Sequence, residues 1–105
     1  MIYKVSVTPT AEGMLTRIGA SDSGALRKII EKAKGLKDSP EKQGRALAGS
    51  LKGLRRIVAA GRYRIIYRVL NQKKTVIVLA AGLRKEGDQR DVYEIAQKLI
   101  RARLL

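Results

Sequence analysis

The chain has 105 residues, 45% of them hydrophobic, with Lys+Arg 23 against Asp+Glu 9 and a formal net charge of +14. That length supports one domain with one modest core, and the apolar content excludes disorder by composition. Cysteine and histidine are both absent, which excludes a disulfide framework, thiolate chemistry and the commonest acid–base side chain.

With no Phe, no Trp and four tyrosines, the core must be mainly aliphatic. Residues 2–8, IYKVSVT, alternate and are β-branched, so they read as a strand with Tyr3, Val5 and Val7 on one face. Thr8-Pro9 opens a helix, with Thr8 as N-cap and Pro9 in the first turn. Ala11, Met14, Leu15 and Ile18 follow at helical spacing, and Gly19 is expected to end the helix. Ser21 or Asp22 caps a second helix reaching Leu36, with an apolar stripe of Leu26, Ile29, Ile30, Ala33 and Leu36. The two should form a hairpin over a sheet.

Residues 41–53 read as a connector, with a helical turn around Arg45–Ala48. Three closely spaced strands follow: Leu54–Ala60, Arg62–Leu70 and Lys73–Ala81, an antiparallel meander. Gly82–Arg90 reads as a polar loop. Asp91 caps a last helix that turns Val92, Ile95, Ala96, Leu99 and Ile100 inward. The expected fold is α+β in the order β-α-α-β-β-β-α, one domain over residues 1–105 with a small curved antiparallel sheet packed on the helical hairpin. The start, MIYKVSVTPT, is too short and polar for a signal peptide. No apolar run approaches the roughly 18 residues of a membrane span. A cytoplasmic protein without membrane contact is expected.

The charge is unevenly spread. No Asp or Glu lies between Glu41 and Glu86, a stretch that includes Lys52, Arg55, Arg56, Arg62, Arg64, Arg68, Arg84 and Lys85. A charge beyond about 8 exceeds what a small domain needs for solubility, and a basic surface of this kind fits nucleic acid. An acidic protein partner is compatible with the same surface. Strand alternation turns Tyr63, Ile65, Tyr67 and Val69 toward a core, and Arg62, Arg64, Ile66 and Arg68 the other way. In the preceding strand Ile57 and Ala59 suit the core, leaving Arg56 and Val58 on the face of Arg64. Like charges side by side destabilise a sheet, so an anionic ligand between them is expected.

The run LKGLRRIVAAGRYRIIYRV, Leu51–Val69, and the later AGLRKEGDQRDVYEIAQKL, Ala81–Leu99, resemble the RelE/ParE superfamily of bacterial toxins. The shared marks are a basic residue, a turn and Y-R-hydrophobic-hydrophobic-Y, then G-x-R, a loop and (I/V)-Y opening the last helix. The RelE side of the resemblance implies an endoribonuclease that cuts mRNA in the ribosomal A site without a cofactor or metal. It implies that Arg64 contacts the scissile phosphate, that Arg84 stabilises charge and serves the leaving group, and that Tyr93 stacks on the reacting nucleotide. Arg56 falls at the first basic position of the preceding strand. Two residues on, where such toxins carry a second Lys or Arg, this chain has Val58, which leaves the proton acceptor unassigned.

The residue types suit that chemistry. A ribose 2′-OH supplies its own nucleophile, so no Ser or Cys is needed and RNA becomes the substrate. Arginines grip phosphate oxygens in pairs but stay protonated. Tyr93, Lys52 or Lys85 would have to move the proton. Lys52, Arg55, Arg62, Arg68 and Lys85 are expected to bind RNA around the site. Lys28, Lys32, Lys73, Lys74, Lys98, Arg101 and Arg103 are expected to meet ribosomal RNA phosphates. The resemblance also implies a short acidic antitoxin. The alternative within the same resemblance is a ParE-like toxin that inhibits DNA gyrase without nuclease activity. A plain RNA-binding module is disfavoured, because Tyr93 alone makes a poor stacking platform.

Overall fold

The computed structural model describes residues 2–102. Its elements are β1 Lys4–Val7, α1 Pro9–Ser21, α2 Ser23–Lys34, β2 Arg45–Ala46, β3 Arg55–Ala59, β4 Tyr63–Leu70, β5 Thr75–Leu83 and α3 Val92–Arg101. Single 3₁₀ turns cover Gly35–Lys37, Pro40–Lys42 and Gly49–Leu51. One five-stranded sheet runs β1-β5-β4-β3-β2. The expected α+β fold holds, with two refinements. β1 pairs with β5 in parallel, Lys4 beside Thr75 and Val7 beside Val78. The helical turn foreseen at Arg45–Ala48 is instead the short edge strand β2, antiparallel to β3, with the turn displaced to Gly49–Leu51.

The helix starts follow local chemistry. Thr8 Oγ1 accepts from the Ala11 N–H at 3.1 Å while donating to the Leu79 carbonyl at 2.9 Å. That ties the start of α1 to β5. Asp22, not Ser21, caps α2 by accepting from the Ala25 N–H at 3.0 Å. Gly19 does not end α1. A Cβ there would meet Leu26 Cδ2 at 2.5 Å, so its missing side chain lets the two helices close on each other. α2 gives way at Lys34 to the 3₁₀ turn, which drives Leu36 fully into the core.

Each face of the sheet carries a helical layer. The hairpin face buries Tyr3, Ile29, Leu36, Ile57, Ile65, Tyr67, Val76 and Val78 together. On the other face α3 lays Val92, Ala96 and Leu99 over Ile66, Leu79 and Ala80. Strand alternation groups Ile66 with the arginines, and Ile66 is 0% exposed because α3 covers it. Burial of one such side chain is worth about 1.5–3 kcal/mol. A β-bulge makes this second layer possible. Ile66 pairs with Ala80 but Tyr67 with Val78, which leaves Leu79 as the extra residue. The chain then turns both Leu79 and Ala80 to the α3 side. β5 also runs two residues beyond its expected end, with Arg64 paired to Gly82 and Tyr63 to Leu83.

The connector between α2 and β3 is pinned. Tyr67 Oη reaches the Pro40 carbonyl at 2.9 Å and the Gln43 carbonyl at 2.8 Å. Arg55 donates to the same Gln43 carbonyl from Nε at 3.1 Å and from its terminal nitrogen at 2.9 Å. Gly44 has φ +61, and a Cβ there would overlap the Arg56 carbonyl. Only glycine lets the connector pass this close to β3.

Candidate active site

α3 covers one end of its sheet face and leaves the other end open. The open part carries Arg56 and Val58 on β3 and Arg64 on β4. Arg56 pairs with Ile66 and Val58 with Arg64, so all three share that face. Val58 is 39% exposed, an apolar floor between two guanidinium groups. Gly82 pairs with Arg64 from β5, and a Cβ there would meet Val92 and Met14. The tight contact is the one with Met14 at 3.1 Å, so the missing side chain makes room for Met14, while Val92 at 3.9 Å would be an ordinary contact.

Arg84 follows directly on β5, and Tyr93 stands in the first turn of α3. The Arg84 guanidinium carbon lies 5.2 Å from the centre of the Tyr93 ring, a cation–π contact. Between them the chain makes two linked turns, with Asp88 N–H on the Lys85 carbonyl and Asp91 N–H on the Asp88 carbonyl. Asp91 closes the loop. One carboxylate oxygen accepts from the Tyr93 and Glu94 N–H groups at 3.0 and 3.2 Å. The other accepts a short hydrogen bond from the Lys85 N–H. At the loop's tip the Arg90 N–H, then its guanidinium, hold the Asp88 carboxyl below its usual range.

Arg56, Arg84 and Tyr93 line one cleft, walled by Leu47, Ala48 and Leu51 from the connector. Arg64 lies on the same sheet face but not among the cleft's lining residues. Its Nε is buried without a hydrogen-bond partner, and its terminal nitrogen makes only a long 3.4 Å contact to the Arg62 carbonyl.

The other basic residues divide. Arg55 points to the hairpin side and is engaged by Gln43. Lys85 leaves β5 on the opposite side from Arg84 and lines a second cleft with Arg17, Arg90 and Tyr63. Arg62 is exposed in the β3–β4 turn, 5.5 Å from the Tyr63 ring centre, and Lys52 and Arg68 are exposed and not among the residues lining the cleft. Lys28, Lys32, Lys73, Lys74, Lys98 and Arg101 are all exposed, and Arg103 lies outside the described residues. Alternation could have separated Arg84 from Lys85, had the strand been extended to Leu83. The sequence pattern did not bring in Glu86 and Glu94, which also line the Arg56 cleft. Glu86 faces Arg84 at 3.7 Å, with 85% of its side chain exposed. Carboxylates here are chemically able to take a proton in a chain without histidine.

The family model for the ParE toxin of type II toxin–antitoxin systems matches residues 5–87. The match spans the sheet and ends before Asp91 and Tyr93. Among solved structures, the toxin–antitoxin complex RelBE2 from Mycobacterium tuberculosis is similar at 29% identity and a TM-score of 0.70, covering 80% of this chain and 93% of that one. E. coli RelE in the free state is similar at 23% identity and a TM-score of 0.71, covering 95% and 99%. The ParDE system of P. aeruginosa is similar at 14% identity and a TM-score of 0.61, covering 78% and 96%. The last two show likeness of fold alone. No relative was found among curated protein sequences. The family match across most of the chain shows that it belongs to the ParE toxin family, within the RelE/ParE superfamily of type II toxin–antitoxin toxins.

Proposed function

We propose that the chain is a ribosome-dependent mRNA endoribonuclease. The observation that carries the reading is the cleft lined by Arg56, Arg84 and Tyr93, with the Arg84 guanidinium over the Tyr93 ring. A phosphate seated there would meet two cations, and a base could lie against the Tyr93 ring. Cleavage then needs little covalent help from the protein. The ribose 2′-OH attacks its own 3′-phosphate, and the P–O5′ bond breaks. The products are a 2′,3′-cyclic phosphate and a 5′-hydroxyl, and the 2′-OH proton is passed on while the leaving oxygen takes one up. Preplaced cations favour the charge that builds on the phosphate oxygens. In-line alignment supplies the rest of the rate, with the ribosome holding the message. Arg64, on the same sheet face but outside the cleft lining, adds positive charge beside that phosphate.

A second reading keeps the same family and removes the nuclease. The family model matched is that of ParE, and Val58 stands where a further cation would serve catalysis. On this reading the chain binds and inhibits DNA gyrase. Purified chain, programmed ribosomes and a short mRNA decide between the two. The endonuclease reading expects discrete cuts ending in cyclic phosphate. Intact mRNA together with blocked gyrase supercoiling would replace it with the second.

A cognate antitoxin is part of the proposal, since relatives of similar structure are toxin–antitoxin complexes. A +14 chain favours an acidic partner. An apolar groove between β1 and α2, with Val7 40% and Ile30 37% exposed at its edge, offers such a partner a place to bury apolar side chains.

A further inference from the structure

We infer that Asp91 is a positioning residue that holds the Arg84 arm over Tyr93, and that this task is separable from its capping of α3. The inference rests on the endonuclease reading only for its kinetic consequence. Three features of the loop carry it.

First, Asp91 is a carboxylate only 8% exposed with no cation on it among the described residues, and three backbone N–H groups take that place. Second, its two oxygens serve different segments. One closes the first turn of α3 at Tyr93 and Glu94. The other takes the N–H of Lys85, the residue next to Arg84. Third, the sheet ladder ends at Leu83, one residue before Arg84, and beyond it the Arg84 side chain is only lightly held among the described residues. Its side chain is 49% exposed, and its ion pair with Glu86 is long and open to water, which makes it weak. The Arg84 backbone is therefore held between the end of the ladder at Leu83 and the N–H of Lys85, and the Asp91 carboxylate sets the second of these. One side chain fixes both members of the Arg84–Tyr93 stack.

The two tasks separate by substitution. In Asp91→Asn a single oxygen remains. Kept on the two helix N–H groups, it leaves the amide NH₂ facing the Lys85 N–H, donor against donor. In Asp91→Ser the hydroxyl caps the helix but is too short for Lys85.

The physical test is hydrogen exchange and nuclear Overhauser effects in the free protein. In the unmodified chain the Lys85 amide should be protected, with Arg84 side-chain protons close to the Tyr93 ring. In both variants α3 should stay protected while the Lys85 amide exchanges freely and the Arg84–Tyr93 stack disappears. A stack that survives with an unprotected Lys85 amide overturns the inference. So does loss of α3 in both variants, which would make Asp91 a helix cap only.

The kinetic test is a double-mutant cycle on programmed ribosomes. Asp91→Asn should slow cleavage at saturating ribosome about 10- to 100-fold, the scale of misplaced catalytic groups. In an Arg84→Ala background it should change the rate by less than about 2-fold. Equal losses in both backgrounds would overturn the inference. A chain that cuts no mRNA would defeat the endonuclease reading, while the exchange and Overhauser measurements would still decide the role of Asp91.

Discussion

Replacing the buried Tyr67 by Phe removes one hydroxyl from the knot that ties the connector to the sheet. The hydroxyl lies 2.9 Å from the Pro40 carbonyl and 2.8 Å from the Gln43 carbonyl. Neither acceptor is orphaned by its loss. Gln43 keeps Arg55 at 3.1 and 2.9 Å, and Pro40 keeps the Gln43 N–H at 3.3 Å. The cost is then the net value of a hydrogen bond, about 0.5–1.5 kcal/mol, without the larger penalty of an unsatisfied group. At an unfolding entropy of about 2.1 cal/mol/K per residue, 1 kcal/mol lowers Tm by about 4–5 °C in a chain this long. Urea unfolding followed by far-UV circular dichroism measures it, since the chain has no Trp. The midpoint should fall with the slope unchanged. Alkali adds a second signature. Burial raises the Tyr67 pKa, with the Arg55 hydrogen bond and charge acting against it. The folded state then holds this proton more tightly than the unfolded chain, whose tyrosines titrate near about 10. Stability from Tyr67 is full below that pH and is lost as pH rises through the folded value. The gap between the two proteins should therefore narrow above about pH 10. Equal midpoints at neutral pH, or a gap that stays constant into alkali, would refute this account of the connector.

Gly44→Ala should destabilise the fold by more than the about 1–2 kcal/mol of a left-handed residue, because its Cβ overlaps the Arg56 carbonyl; thermal unfolding measures it. Val58→Lys adds a cation on the open sheet face and should raise the rate of mRNA cleavage on programmed ribosomes, whereas a gyrase inhibitor would show no cleavage to raise. Arg56→Ala should lower the cleavage rate by about 10²–10³, as removal of a fixed charge-stabilising donor does, with Tm changed by only a few degrees. Binding to ribosomes should weaken steeply with salt. Alanine at Lys28 or Lys32 should flatten the log–log slope by about 0.7 for every phosphate it releases, read by filter binding.

Much of the fold was legible because it follows from local rules. Thr8-Pro9 and Asp91 act as the helix starts they spell, and Tyr63, Ile65 and Tyr67 fall on the hairpin face by simple alternation. What alternation missed are places where a longer-range interaction decides. The bulge at Leu79 shifts the phase of β5 within a run, VIVLAA, that is apolar on both sides and carries no mark of the slip. Ile66 reads as a companion of Arg64 until α3 lies over it. Gly19 reads as a helix stop, yet its role is set by Leu26 on the next helix. At the site, Arg56, Arg84 and Tyr93 were nameable from motif and spacing, and the structure puts them around one cleft. Arg55 looked as available as Arg56, but neighbouring strand residues face opposite sides, and the Gln43 carbonyl takes Arg55. Glu86 and Glu94 carry no local mark of the site, because the loop and the first turn of α3 meet the cleft only through the tertiary fold.

The central claim is that the Arg56–Arg84–Tyr93 cleft cuts mRNA on the ribosome. It is tested most directly by mapping mRNA 5′ ends in cells after induced expression of the chain and of Arg84→Ala. The account expects new ends confined to translated codons with the unmodified chain, and their loss with Arg84→Ala at equal protein level. Unchanged 5′ ends with growth still arrested by the unmodified chain would contradict it.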